Sequence, residues 1–117
     1  MDKTLKYFLE DYQMWLEGTK ANIRETITMI IKVKSEVNPT KKQLAKLDKQ
    51  KRHLFQTNYF LMESHLRIHN IYNMFSDEDK KFIDEYENVS AQANNVVSKI
   101  NEFLNSYKND TTSNQTL

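Results

Sequence analysis

His65 and His69 stand four residues apart, so on a helix their imidazoles share one face and could chelate a divalent metal if a third ligand arrived from another element. Leu66-Arg67-Ile68 between them carries no carboxylate to act as a base, and the Arg67 cation disfavours a second positive charge beside it. The two histidines are therefore weak metal candidates, and no cofactor is expected. Lys51, Asn58 and His65 follow one another at intervals of seven. Such a ladder could form a polar layer, a ligand site or a pH-sensitive joint. The best-attested use of polar residues on a helical seam is to fix register and oligomeric state, and that reading is favoured. A chain with one glycine has no glycine-rich phosphate loop, it has no cysteine nucleophile, and no nucleophile–base signature stands out. The expectation is a protein that is not an enzyme.

Charge is the second source of chemistry. The net +1 hides an asymmetry: residues 20–52 carry ten bases against three acids, whereas residues 53–87 carry seven acids against three bases. Lys32, Lys34, Lys41, Lys42, Lys46 and Lys49 crowd the region around one proline. A cluster of this kind suits phosphate or an acidic protein surface. With no arginine fork and no interleaved aromatics, contact with nucleic acid through Lys34, Lys41, Lys42, Lys46 and Lys49 would be sequence-independent.

These residues must be positioned by helices. The chain has 117 residues, one glycine and one proline, which leaves little material for the turns of a β fold. Apolar residues at 38% and charged residues at 28% fit a single globular domain. From Leu5 through Leu9, Tyr12, Leu16, Thr19, Ile23, Thr26, Ile30 and Val33 to Val37, the stripe repeats at 4 and 3. Gly18 lies inside it and predicts a kink or a break, with a bent continuous helix favoured. Asn38-Pro39 ends the element, because the residue before proline is pushed out of the helical region. Thr40 and Gln43 form a capping box for the next. The second stripe runs Leu44, Leu47, Lys51, Leu54, Asn58, Leu61, His65, Ile68, Tyr72 and Phe75, with Phe55, Tyr59, Met62 and Leu66 flanking it. Ser76 followed by three acids caps a third helix, whose stripe runs from Phe82 to Tyr107.

Three long helices joined by short turns predict an all-α, elongated, antiparallel, coiled-coil-like three-helix bundle over 1–108, with a disordered polar tail over 109–117. Spectrin-type repeats share that shape. Ser76-Asp77-Glu78-Asp79-Lys80-Lys81-Phe82-Ile83-Asp84-Glu85-Tyr86 resembles the opening of the sigma-region-4-type domain of phage late-gene transcription activators. That resemblance covers eleven residues and implies a DNA-binding regulator. Those proteins continue with a helix-turn-helix over about twenty further residues, and 87–95 carries no turn residue to match.

The N-terminus lacks a signal-peptide layout and the longest apolar run is Tyr59-Phe60-Leu61-Met62, so a cytoplasmic protein with no membrane span is expected. Fourteen lysines against three arginines, with twelve asparagines, suggest a low-GC bacterium or phage. The expected function is a small protein-interaction module, an adaptor, regulator or inhibitor, that binds a partner protein or a second copy through Tyr59, Phe60, Met62, Ile71 and Met74. The alternative is a nucleic-acid-binding or phage-type transcription regulator using the basic region 32–52.

Overall fold

The computed structural model describes the backbone of residues 2–116 and the side chains of residues 2–107. Three helices carry the fold: α1 (Lys3–Lys34), α2 (Lys41–His69) and α3 (Asp77–Thr116), with a short 3-10 turn at Tyr72–Met74 between α2 and α3. The contacts fix their directions. Asp11 meets Ser64, Asn22 meets Thr57 and Thr26 meets Gln50, so α1 and α2 run antiparallel. Lys51 meets Asn101 and Asn58 meets Asn94, so α2 and α3 do too. The bundle measures 65 × 22 × 18 Å. Its radius of gyration, 18.3 Å, exceeds the roughly 13 Å of a compact domain of this length. The expected all-α, elongated, up-down-up bundle is what forms.

Each boundary has a local cause. Asp2 accepts from the Thr4 N–H at 2.7 Å and opens α1. Thr40 and Gln43 make the reciprocal capping box, at 3.1 and 2.8 Å. Ser76 accepts from the Asp79 N–H at 3.2 Å and opens α3, whose first turn is acidic. Two ends differ from the periodic expectation. The first stripe reaches Val37, but α1 stops at Lys34 and Val37 is exposed. Ser35 closes the helix by donating from its hydroxyl to the Lys32 carbonyl, since the chain must become extended before Pro39. The second stripe reaches Phe75, but α2 stops at His69. Phe75 is extended and buried, so its place in the pattern records burial at the bundle end, not helix.

Gly18 breaks nothing: α1 passes through it uninterrupted. The core is a column of Leu16, Ile23, Leu47, Leu54, Leu61, Ile68, Ile83, Ala93 and Ile100. The four leucine and isoleucine positions of α2 at intervals of seven are all fully buried. The disordered tail expected over 109–117 falls at the end of α3, where side chains lie outside the described residues. Among the described residues no helix is long and apolar enough to cross a membrane.

Candidate functional site

The α2–α3 seam carries a polar ladder, as the α1–α2 seam does at Asn22–Thr57, Gln50–Thr26 and Ser64–Asp11. The ladder at Lys51, Asn58 and His65 meets α3 rung by rung. Lys51 Nζ donates to Asn101 Oδ1 at 2.8 Å and pairs with Asp48 at 3.0 Å. Asn58 Nδ2 donates to Asn94 Oδ1 at 3.4 Å. His65 stacks on Tyr86, with centroids 4.0 Å apart and 13° between planes. Asn58 is only 9% exposed, and its Oδ1 has no hydrogen-bond partner. Exchanging O and N in both amides would leave the Asn58 nitrogen unpaired instead, so either orientation strands one buried polar atom. Such an atom costs free energy until a partner reaches it.

Outside this ladder α2 presents an apolar shoulder. Phe55, Tyr59 and Leu66 are 59%, 48% and 56% exposed, and Met62 is half-buried among them. Spaced 4, 3 and 4, they form one stripe on the α3 side of the helix. The facing flank of α3 is low and small, with Ser90 and Asn94 beside Tyr86. Together Phe55, Asn58, Tyr59, Met62, Tyr86, Ser90 and Asn94 line a groove of about 200 Å³. A helix that is apolar beyond its buried seam is presenting a surface.

The residues expected to bind protein do not all share this face. Tyr59 and Met62 do. Phe60 lies on the α1 side, half-buried against Trp15 with ring centroids 4.9 Å apart. Ile71 packs half-buried against the core, and Met74 is exposed in the 3-10 turn. Phe55 and Leu66 complete the stripe. Their signal was present in the sequence, as apolar residues flanking a seam that was already full.

His65 and His69 line a depression of about 340 Å³ with Tyr72, Asp84 and Glu87. Their rings stack at 5.8 Å, and His65 is held between His69 and Tyr86. Asp84 accepts from the Tyr72 hydroxyl at 2.9 Å. Stacking directs ring faces, not nitrogens, at one another, and among the described residues no group of three or more His, Asp or Glu is arranged to hold a metal ion. Burial holds the His65 imidazole below its ordinary pKa, reinforced by His69 and opposed by Glu87 and Asp84.

The basic end is assembled as its sequence implied. Tyr107 donates to the Pro39 carbonyl at 3.4 Å, bringing α3 to the α1–α2 turn, and Lys34 lies 5.7 Å from the centre of the Phe103 ring. Lys32, Lys34, Lys41, Lys42, Lys46 and Lys49 are all exposed, and among the described residues none forms an ion pair. Where phage activators carry a helix-turn-helix, α3 runs without a turn through 87–95 among the described residues.

Comparison with protein-family models, with curated proteins and with solved structures finds no match.

Proposed function

We propose that this chain is a non-enzymatic helical protein-interaction module that works by contact through the α2–α3 face. The observation that carries the reading is the exposed stripe of Phe55, Tyr59, Met62 and Leu66 beside the groove floored by Asn58. Exposed apolar residues are ordinary singly, but a contiguous stripe with aromatic anchors marks a binding surface. A photo-crosslinking residue at Tyr59, compared in the producing cell with the same residue at the exposed Gln56, tests it. Adducts with protein at position 59 and not at 56 are expected. Equal labelling at both positions, or none at 59, removes this reading.

A second reading rests on the basic end, where Lys34, Lys41, Lys42, Lys46 and Lys49 are exposed without acidic partners among the described residues. It is a nucleic-acid-binding regulator that contacts phosphates without reading sequence. Retention on DNA or RNA at low salt, lost on reversing the lysines to glutamate, supports it; no retention at low salt removes it.

A further inference from the structure

Resting on the interaction-module reading, we infer that the α2–α3 face is occupied by the same face of a second copy of this chain, with the two α2 helices antiparallel. The 4-3-4 spacing of Phe55, Tyr59, Met62 and Leu66 is symmetric about its own midpoint. A two-fold axis there sets Phe55 against Leu66 of the second copy and Tyr59 against its Met62, and repeats both pairs on the other side. Every contact then joins an aromatic ring to an aliphatic or thioether side chain, which fills space without ring-on-ring clash. An isologous interface requires this self-complementarity, and closed two-fold dimers are the commonest assembly.

The stripe also ends in the right way. One heptad outward from Tyr59 is Arg52, one heptad outward from Met62 is His69, and the same axis sets these two opposite each other. Arg52 is already paired with Asp48 at 3.0 Å, so the apolar seam is closed at each end by a polar layer that brings no unpaired acid into it. Polar terminal layers fix register. The low α3 flank, with Ser90 and Asn94, leaves room for the neighbouring helix to approach the groove. Asn58 lies at the floor of that groove, but its Oδ1 is enclosed and the Tyr59 hydroxyl is already engaged with Glu63, so the pairing rests on the apolar stripe and its ends.

The size of the patch sets the strength. Four partly exposed side chains offer roughly 400 Å² per copy, about half of what a standard specific interface buries on each partner. The dimer is therefore weak, and its population depends on concentration.

The test is the solution mass of the whole chain by sedimentation or light scattering, from on the order of 5 to 500 µM at moderate salt. A rise from the 14.0 kDa monomer toward twice that mass is expected. The double variant Phe55→Glu with Leu66→Glu should remain monomeric throughout. Both positions are exposed, so at the lowest concentration, where the parent is monomeric, its circular dichroism and melting should match the parent's. Because the chain has no cysteine, Phe55→Cys and Leu66→Cys proteins mixed under oxidation report the register. The mixture should cross-link, and Phe55→Cys alone should do so far less. A constant 14.0 kDa mass, a dimer indifferent to the double variant, or Phe55→Cys cross-linking to itself as readily as to Leu66→Cys would each overturn the inference. A monomer that still gives adducts at Tyr59 in the cell overturns self-pairing alone and leaves the interaction module with a different partner.

Discussion

Individual side chains in this bundle act through where they are placed. Gly18 has no demand for glycine geometry: its φ is not positive, and a methyl group there would meet only Thr57 Cγ2, at 4.0 Å. It therefore gives up helix propensity for nothing visible in the packing. Gly18→Ala is expected to stabilise the fold by about 0.5–1 kcal/mol, a rise in Tm of roughly 4 °C, measurable by thermal denaturation. Helical periodicity carried the stripe across Gly18, and a side chain's absence cannot reveal whether a neighbour sits over it; only Thr57 in place shows that the gap is shallow. His65 behaves in the opposite way, since its environment resists the charged form. Its imidazole is half-buried, stacked between Tyr86 and His69, and its folded pKa lies below the unfolded value. The unfolded chain then binds more protons in the window between the two, so stability rises with pH there. The contribution is complete above the unfolded pKa near 6.5 and is lost as pH falls through the folded value. Asp84 and Glu87 on α3 soften the loss without reversing it. Denaturant melts between pH 7.5 and 5 should show falling stability, and His65→Gln should flatten that slope; an unchanged slope would assign it to other groups.

At the scale of elements, the ends of the helices are held by side chains the sequence displays openly. The Thr40–Gln43 capping box satisfies two backbone N–H groups at the start of α2. Thr40→Ala should cost about 1 kcal/mol, read as a lower denaturant midpoint at unchanged m-value, because the unfolded chain is unaffected. Capping boxes, the pre-proline stop and the serine cap of α3 were legible because each is a local chemical fact within four residues. The true ends of α1 and α2 were less so. Val37 and Phe75 keep the helical phase, yet one is exposed beyond a cap and the other is buried in extended chain. Phase reports which face is apolar, not which backbone carries it. The division of α2 into two apolar sets was likewise hidden. Phe60 and Phe55 look alike in sequence, but Phe60 sits toward α1 against Trp15 and Phe55 faces outward beside α3. Which of two flanking rows becomes surface depends on where the third helix settles. Its position is set by long-range contacts such as the donation of the Tyr12 hydroxyl to the Ile83 carbonyl at 2.9 Å.

The molecule as a whole is a 65 Å rod with chemistry sorted along it. The lysines at 32–49 gather at the end closed by Pro39 and Tyr107, and the acids of residues 77–79 gather at the other, near the start of α1. The apolar stripe begins at Phe55, about 21 Å along α2 from Lys41 at the helical rise per residue. That is more than two Debye lengths at physiological salt, about 8 Å each, so the helix start is electrostatically separate from the apolar face. Lys49, six residues before Phe55, is only about 9 Å away and is the nearest of these lysines to the stripe. The exposed lysines lack ion pairs among the described residues, and a pair with water and mobile ions is what a phosphate displaces. Four of them, Lys41, Lys42, Lys46 and Lys49, lie within nine residues of one helix. If all four meet phosphates of a duplex, the logarithm of the binding constant should fall against log salt with a slope of about −4. The expected result is weak retention of DNA at low salt, equal for unrelated sequences, that disappears well below physiological salt strength in the quadruple glutamate variant. Self-association through Phe55, Tyr59, Met62 and Leu66 should survive reversal of Lys41 and Lys42 alone, which lie farthest from the stripe, and the Phe55→Glu, Leu66→Glu protein should in turn keep most of its retention. Filter binding across a salt series, run beside sedimentation on the same preparations, separates the two surfaces. Loss of both properties in either variant would mean that the rod works as one surface and that charge and apolar stripe belong to a single interface.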